Sequence, residues 1–247
     1  EITSSLKVEL RRLTRSGLGL GVLVGFAFFG LSGPVLSIYM PEILGAAAST
    51  DQLAISASQA TPADAISLFN QSAMQLGLIV TVAVAITSIG WDTRPGSSIF
   101  YRTRVHRLST VLLPRLIIDW LIALATYSCG LLLAVVVTAS AIGHPPAGMV
   151  IRTWIACGLY IVMAMSIGHL IAASLRRTTT AIALTTLLVL VLPVMNQVPG
   201  TSRWVPTALL LPTGLHAIPV IAALVVTGLC AVGSVLIARR QTLRRDA

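Results

Sequence analysis

Lysine is almost absent from this sequence: of 17 basic residues, Lys7 is the single lysine and the rest are arginine. That excludes a phosphate-cradling GxxxxGK[ST] loop, because Lys7 stands in KVELRR with no glycine turn before it. The chain does not bind and hydrolyse ATP by that route on its own. A GxSxG elbow, an HExxH motif and paired carboxylates at helical spacing are missing too. The three cysteines, Cys129, Cys157 and Cys230, all fall inside apolar runs without CxxC or Cys/His ligand spacing. Disulfide stapling and a metal centre are therefore not expected. The four histidines, His106, His144, His169 and His216, are dispersed along the chain. An intramembrane enzyme needs a nucleophile or metal set at one depth, and none is found, so no catalytic activity is assigned to the chain itself.

Charge of either sign is scarce as well. Only 10% of the 247 residues are charged and 55% are hydrophobic, where an ordinary soluble domain carries roughly 25% charged residues. The composition is that of an integral membrane protein. The basic excess, 17 against eight acids, sits between apolar runs and reads as a set of topology determinants, not a nucleic-acid footprint.

What is there is organised around residues 92–110, DTRPGSSIFYRTRVHRLST, the longest polar interruption between two apolar runs. It carries Arg94, Arg102, Arg104 and Arg107, which place it on the cytosolic side by the positive-inside rule. Its interior, 97–108, is long enough for a short helix lying across the membrane surface. Upstream, residues 5–15 put Leu6, Leu10 and Leu13 on one helical face with Lys7, Arg11 and Arg15 opposite, as in an interfacial amphipathic helix. A frayed basic tail is the alternative. The basic start and the following GLGLGVLVGFAFFG mimic a signal peptide, but the apolar run reaches Met40, beyond the roughly 7–15 residues of a signal core.

Six spans are expected, at about 17–39, 72–91, 111–138, 151–174, 179–196 and 216–238. Gly17, Gly21 and Gly25 in the first would permit close helix approach, and Pro34 should kink or end it. The loop that follows has Glu42, Asp51 and Asp64 but no basic residue, so it belongs outside. Within it, TPAD at 61–64 reads as a helix cap from which a helix runs into span two. In span three Arg115 is expected to snorkel to the inner interface. Asp119, costly in a membrane, has Arg115 as its nearest partner at i−4. An ion or proton site is the alternative to that structural pair. His169 reads as an interfacial or packing histidine. Pro193, Pro199, Pro206 and Pro212 break the chain after span five, and 205–212 look re-entrant or interfacial. Fifteen of the 17 basic residues fall inside on this layout, leaving Arg152 and Arg203 outside. Both termini are then cytosolic.

The order of these features resembles the permease subunits of type-2 ABC exporters, along nearly the whole chain. The shared features are the basic segment before span one, the proline-bearing loop PVLSIYMPEIL, Asp92 at the end of span two, Gly96-Ser97, HRLSTVLLPRL entering span three, and the terminal ARR…RRD. Departures are Asp92 where the family usually has glutamate, and Pro95 before the glycine.

The resemblance implies an all-α polytopic protein, a single transmembrane domain over 1–247 with six spans, an N-terminal interfacial helix and a cytosolic coupling helix. It implies a second six-span unit as homo- or heterodimer partner, and cytosolic ATPase subunits that bind ATP and Mg. No cofactor is expected in this chain. Coupling to the ATPase would fall to Asp92, Arg94, Ile99, Phe100, Tyr101, Arg102 and Arg104. A path between two units, mainly along spans one, two and five, would place Asn196 and Gln197 near its outer mouth. Arg115 and Asp119 stay an intramembrane pair. The expected setting is a bacterial inner (cytoplasmic) membrane with its lipids, and no nucleic acid. The expected function is ATP-driven export of a small hydrophobic or amphipathic compound, such as a drug or lipid. The rival is a secondary, ion-coupled transporter with Asp119 as its charge site. Such a carrier would show two repeated halves, yet spans 4–6 lack the long loops of spans 1–3.

Overall fold

The computed structural model describes residues 10–11, 17–47, 60–89, 109–175, 177–197, 204–211 and 215–243. Of the N-terminal amphipathic segment only Leu10 and Arg11 are among them, both helical and exposed. The expected coupling helix and its residues from Asp92 to Arg104 lie outside the described residues.

All regular structure among the described residues is helical: α1 (Leu18–Ala47), α2 (Pro62–Ser72), α3 (Leu78–Ile89), α4 (Ser109–Ala141), α5 (Ala147–Leu175), α6 (Thr178–Val191) and α7 (Ala217–Leu243). A π turn, Ala73–Gly77, joins α2 to α3, and two 3-10 segments, Leu192–Gln197 and Pro206–Leu210, follow α6. Six stretches are long and apolar enough to cross a membrane: Leu18–Met40, Pro62–Thr87, Leu112–Ala141, Ala147–Leu175, Thr178–Gln197 and Ala217–Ile237. The protein is an all-α, multi-pass membrane protein. Hydrocarbon offers no partner to backbone N–H and C=O groups, so apolar runs of this length bond internally as helices.

The second of these stretches begins well before the apolar run that marks it in the sequence. The Thr61 side chain accepts from the Asp64 N–H at 3.3 Å while Asp64 Oδ2 accepts from the Thr61 N–H at 3.1 Å. This capping box, with Pro62 in the first turn, starts the helix that runs on into span two.

Span one differs from its expectation in two ways. It neither ends at Pro34 nor at Pro41; α1 continues to Ala47. A proline removes one helical hydrogen bond, and in an apolar setting the remaining bonds have no competing water. Its buried stripe is Val22, Phe26, Gly30, Gly33 and Ser37, and the glycines that meet neighbours belong to it. A Cβ on Gly33 would sit 2.8 Å from the Phe69 backbone of α2, and one on Gly130 of α4 would sit 2.7 Å from Phe26 O. A Cβ on Gly17, Gly21 or Gly25 meets nothing within 4 Å. Those three lie one position round the helix from the stripe, off the face that this chain covers.

Where α1, α2 and α4 converge, Tyr127 stacks on Phe69 and meets Phe26 edge-on, each with centroids 5.9 Å apart. Its hydroxyl donates to Asn70 Oδ1 at 2.8 Å, so the ring's polar tip is satisfied inside the bundle. Helices α4 and α5 form a hairpin whose turn holds Gly143 at φ +141°, a backbone conformation that favours glycine. Span four then threads the centre, packing on spans two, three, five and six. Its apolar window is 67% buried, against 17% for span five and 22% for span six.

Candidate functional site

Most hydroxyls inside the bundle carry no candidate function. Thr81, Thr138, Ser166, Thr185 and Thr227 each donate to the carbonyl four residues earlier on their own helix, at 2.7 Å. This self-bonding lets a hydroxyl sit in an apolar interior. Three other polar arrangements among the described residues are candidates.

The first is a buried pair near the Arg115 end of the bundle, called here the basic end. Asp119 is 5% exposed and His169 1% exposed, and a 2.9 Å hydrogen bond links His169 Nε2 to Asp119 Oδ2. The two residues are 50 apart in sequence. They stand at equal distances on either side of the α4–α5 turn, so an antiparallel hairpin brings them to one depth. His169 Nδ1 is buried with no hydrogen-bond partner among the described residues. Arg115 lies one turn before Asp119 and is itself buried, at 2% exposure, instead of snorkelling to a surface. It shares the bundle-facing side of α4 with Leu112, Leu116 and Asp119, so its stem is directed inward. Sequence spacing pointed to Arg115 as a partner of Asp119; the hydrogen bond from His169, taken as a packing residue, was not foreseen. The detectable signal was the symmetric spacing of the two residues about GHPP.

The second is a clasp on the broken segment. Asn196 Nδ2 donates to Thr207 O at 2.9 Å, and Thr207 Oγ1 donates back to Asn196 Oδ1 at 2.8 Å. The two 3-10 segments are thereby pinned together. Thr207, Ala208 and Leu209 are buried, and Pro206–Leu210 packs on spans four and six without crossing. Gln197 is exposed beside the clasp.

The third is a cavity of about 690 Å³ at the opposite, distal end of the bundle. The polar part of its wall is Ser67, Asn70, Gln71 and Gln75 of span two, with Arg152 and Thr153 of span four. Met74, Met149, Val189, Pro193 and Leu209–Leu211 make the apolar part. Asn196 and Gln197, expected near an opening, do not line it; Pro193 and Leu209–Leu211 represent the broken segment there. Asp119 and His169 are not on its wall either. Spans four and five close it from below, where the Tyr160 hydroxyl donates to Val189 O at 3.3 Å.

Among the described residues no group of three or more His, Cys, Asp or Glu stands close enough to hold a metal ion. No known protein-family model matches the chain, and no curated protein matches it.

Proposed function

We propose that the chain is the membrane-spanning subunit of an ATP-driven exporter, of the type-2 ABC kind, working as one of two six-span units above separate ATPase subunits. The observation that carries this reading is the uneven covering of the bundle. Span four is wrapped by its own chain, whereas span five presents Leu184, Leu187, Leu190 and Val191 and span one Leu20, Val24 and Phe28 as exposed apolar faces. Span six is exposed as well, through Leu224, Leu229 and Val232; on this reading a second unit covers spans one and five, and lipid covers span six. On this reading both termini and the segment 92–110 face the cytosol of a bacterial cytoplasmic membrane. The substrate is a small hydrophobic or amphipathic compound. Asp92, Arg94, Ile99, Phe100, Tyr101, Arg102 and Arg104 receive the push of the ATPase, which holds the ATP and Mg. The segment suits that work because it is tethered to spans two and three at once, and Phe100 with Tyr101 supplies the aromatic anchors on which interfaces depend.

The double variant Phe100→Ala/Arg102→Ala tests the coupling role. The chain should still insert and fold, while its ATPase partner co-purifies poorly or loses substrate-stimulated turnover. Normal partner binding with normal stimulated hydrolysis would end the assignment.

One observation favours a second reading, an ion-coupled secondary transporter: the buried Asp119–His169 hydrogen bond is a titratable pair inside the membrane-length helices. The pair lies away from the cavity, which favours a packing role. Efflux in ATP-free vesicles driven by a proton gradient, and lost in Asp119→Asn, would promote the carrier.

A further inference from the structure

Gln71, Gln75 and Arg152 line the distal cavity, are exposed to it, and make no side-chain hydrogen bond or ion pair among the described residues. Nearby polar groups are by contrast committed. Asn70 gives its amide to Ile66 O and accepts from Tyr127. Asp64 is held by the Thr61 cap, with its Oδ2 2.6 Å from Thr61 Oγ1.

Gln71 and Gln75 belong to a membrane-length helix, Pro62–Thr87. Both amides are exposed and can be reached from the cavity. Span two brings both amides to one side because Gln75 follows Gln71 by one turn. Gln75 itself lies in the π turn Ala73–Gly77, between core residues Phe69 and Ala73 on one side and Leu78 and Val82 on the other. A wide turn of this kind is a common mark of a functional position.

The chemistry of the wall narrows the ligand. Arg152 supplies only donors and a fixed positive charge, and among the described residues no carboxylate lines the cavity. A cation is disfavoured and an anion is favoured. The two glutamine amides add donors for an anion's oxygens. Met74 beside them, with Met149 and Leu209–Leu211 from other elements, forms an apolar and adaptable wall. The volume, about 690 Å³, lies inside the roughly 300–1,000 Å³ of pockets that enclose a small organic ligand.

We infer that this cavity is a binding site, within a single copy of the chain, for an anionic amphiphile: an apolar chain ending in a phosphate or carboxylate. Arg152 holds the head with Gln71 and Gln75 beside it, and the chain lies against Met74, Met149 and Leu209. The site does not rest on the ATP-driven reading, since it is complete without a partner subunit.

The test uses the full chain in nanodiscs of zwitterionic phosphatidylcholine, with thermal unfolding followed during titration. Dodecyl phosphate should raise Tm saturably, whereas dodecyltrimethylammonium and inorganic phosphate should not. Arg152→Gln, at an exposed position that tolerates substitution, should weaken the dodecyl phosphate affinity about tenfold, a loss of about 1.4 kcal/mol, and Arg152→Lys should retain most of it. Thr153→Trp, which fills the cavity, should remove the saturable shift. A matching rise from nanodiscs containing phosphatidylglycerol supports the site and identifies bilayer lipid as its source. An equal shift from the cationic analogue, an equal shift from inorganic phosphate, or full affinity in Arg152→Gln would overturn the proposal. None of these readouts involves ATP, so failure here leaves the exporter assignment untouched.

Discussion

Spans four and five follow one another in sequence and pack together, yet 67% of one apolar window is buried and only 17% of the other. Their sequences are equally apolar, so hydropathy does not separate them. The difference lies in side-chain size and in what each helix must touch. Span four carries Gly158, Ala164, Ser166 and Gly168 among larger core residues, and this lets several helices approach it. A Cβ on Gly168 would stand 3.3 Å from Thr185 of span five, and one on Gly158 3.1 Å from Leu124 of span three. Span five buries only Ala181, Thr185 and Val189, a single narrow stripe, and leaves its leucines outside. A membrane helix gains nothing by hiding leucine from lipid, because the tails are as apolar as the side chain. Burial therefore follows packing fit, and an exposed face is equally available to lipid or to a second subunit.

The largest expected effect tests the span-four side of this contrast. His169→Leu should cost about 1–3 kcal/mol of stability, because it removes a buried hydrogen bond to a carboxylate. Asp119→Asn, which keeps a side-chain oxygen facing His169 Nε2, should cost less. Unfolding in mild detergent would show both, and a single variant as stable as the parent would demote the pair to an incidental contact.

Next comes the crossing of spans one and three. Gly130→Ala drives a methyl into Phe26 O and should cost about 1–3 kcal/mol as overpacking. Gly21→Ala, with open space around it, should change chain stability by no more than about 0.5 kcal/mol. If the two glycines respond alike, the buried stripe of α1 has been misplaced.

The clasp should have a smaller and more local influence. Asn196→Leu leaves Thr207 unsatisfied and should cost about 1–2 kcal/mol. It should also raise proteolytic cleavage between residues 197 and 206, the stretch between the two 3-10 segments. Unchanged protease sensitivity would mean that packing alone holds the segment.

The smallest stability effect belongs to span five. Leu187 is 60% exposed, and Leu187→Ala should shift stability of the isolated chain by less than about 0.5 kcal/mol. In a background without the native cysteines, Leu187→Cys should cross-link two copies if a second unit covers this face. Efficient modification by a lipid-soluble maleimide with no cross-link would assign the face to lipid.

Composition and run length were enough to determine the six spans, because a backbone in hydrocarbon has to satisfy itself and a helix is the local way to do so. The same kind of local signal gave the TPAD cap, whose hydrogen bonds close within four residues, and the proline-broken segment after span five. Gly17, Gly21 and Gly25 show where local pattern stops. Their spacing was a true small-residue repeat, but which face of a helix is covered depends on its neighbours, and those chose Gly30 and Gly33. Asp119 shows it again. Its i−4 neighbour Arg115 could be read from the chain, whereas His169 arrives from 50 residues away only because α4 and α5 fold back as straight, antiparallel helices. The cavity needed still more: span two, span four and the returning 3-10 segment each supply one wall, and no stretch of sequence contains two of them. What the chain encodes alone is what bonds to itself; contacts between distant helices, and the spaces they leave, exist only once the helices have packed.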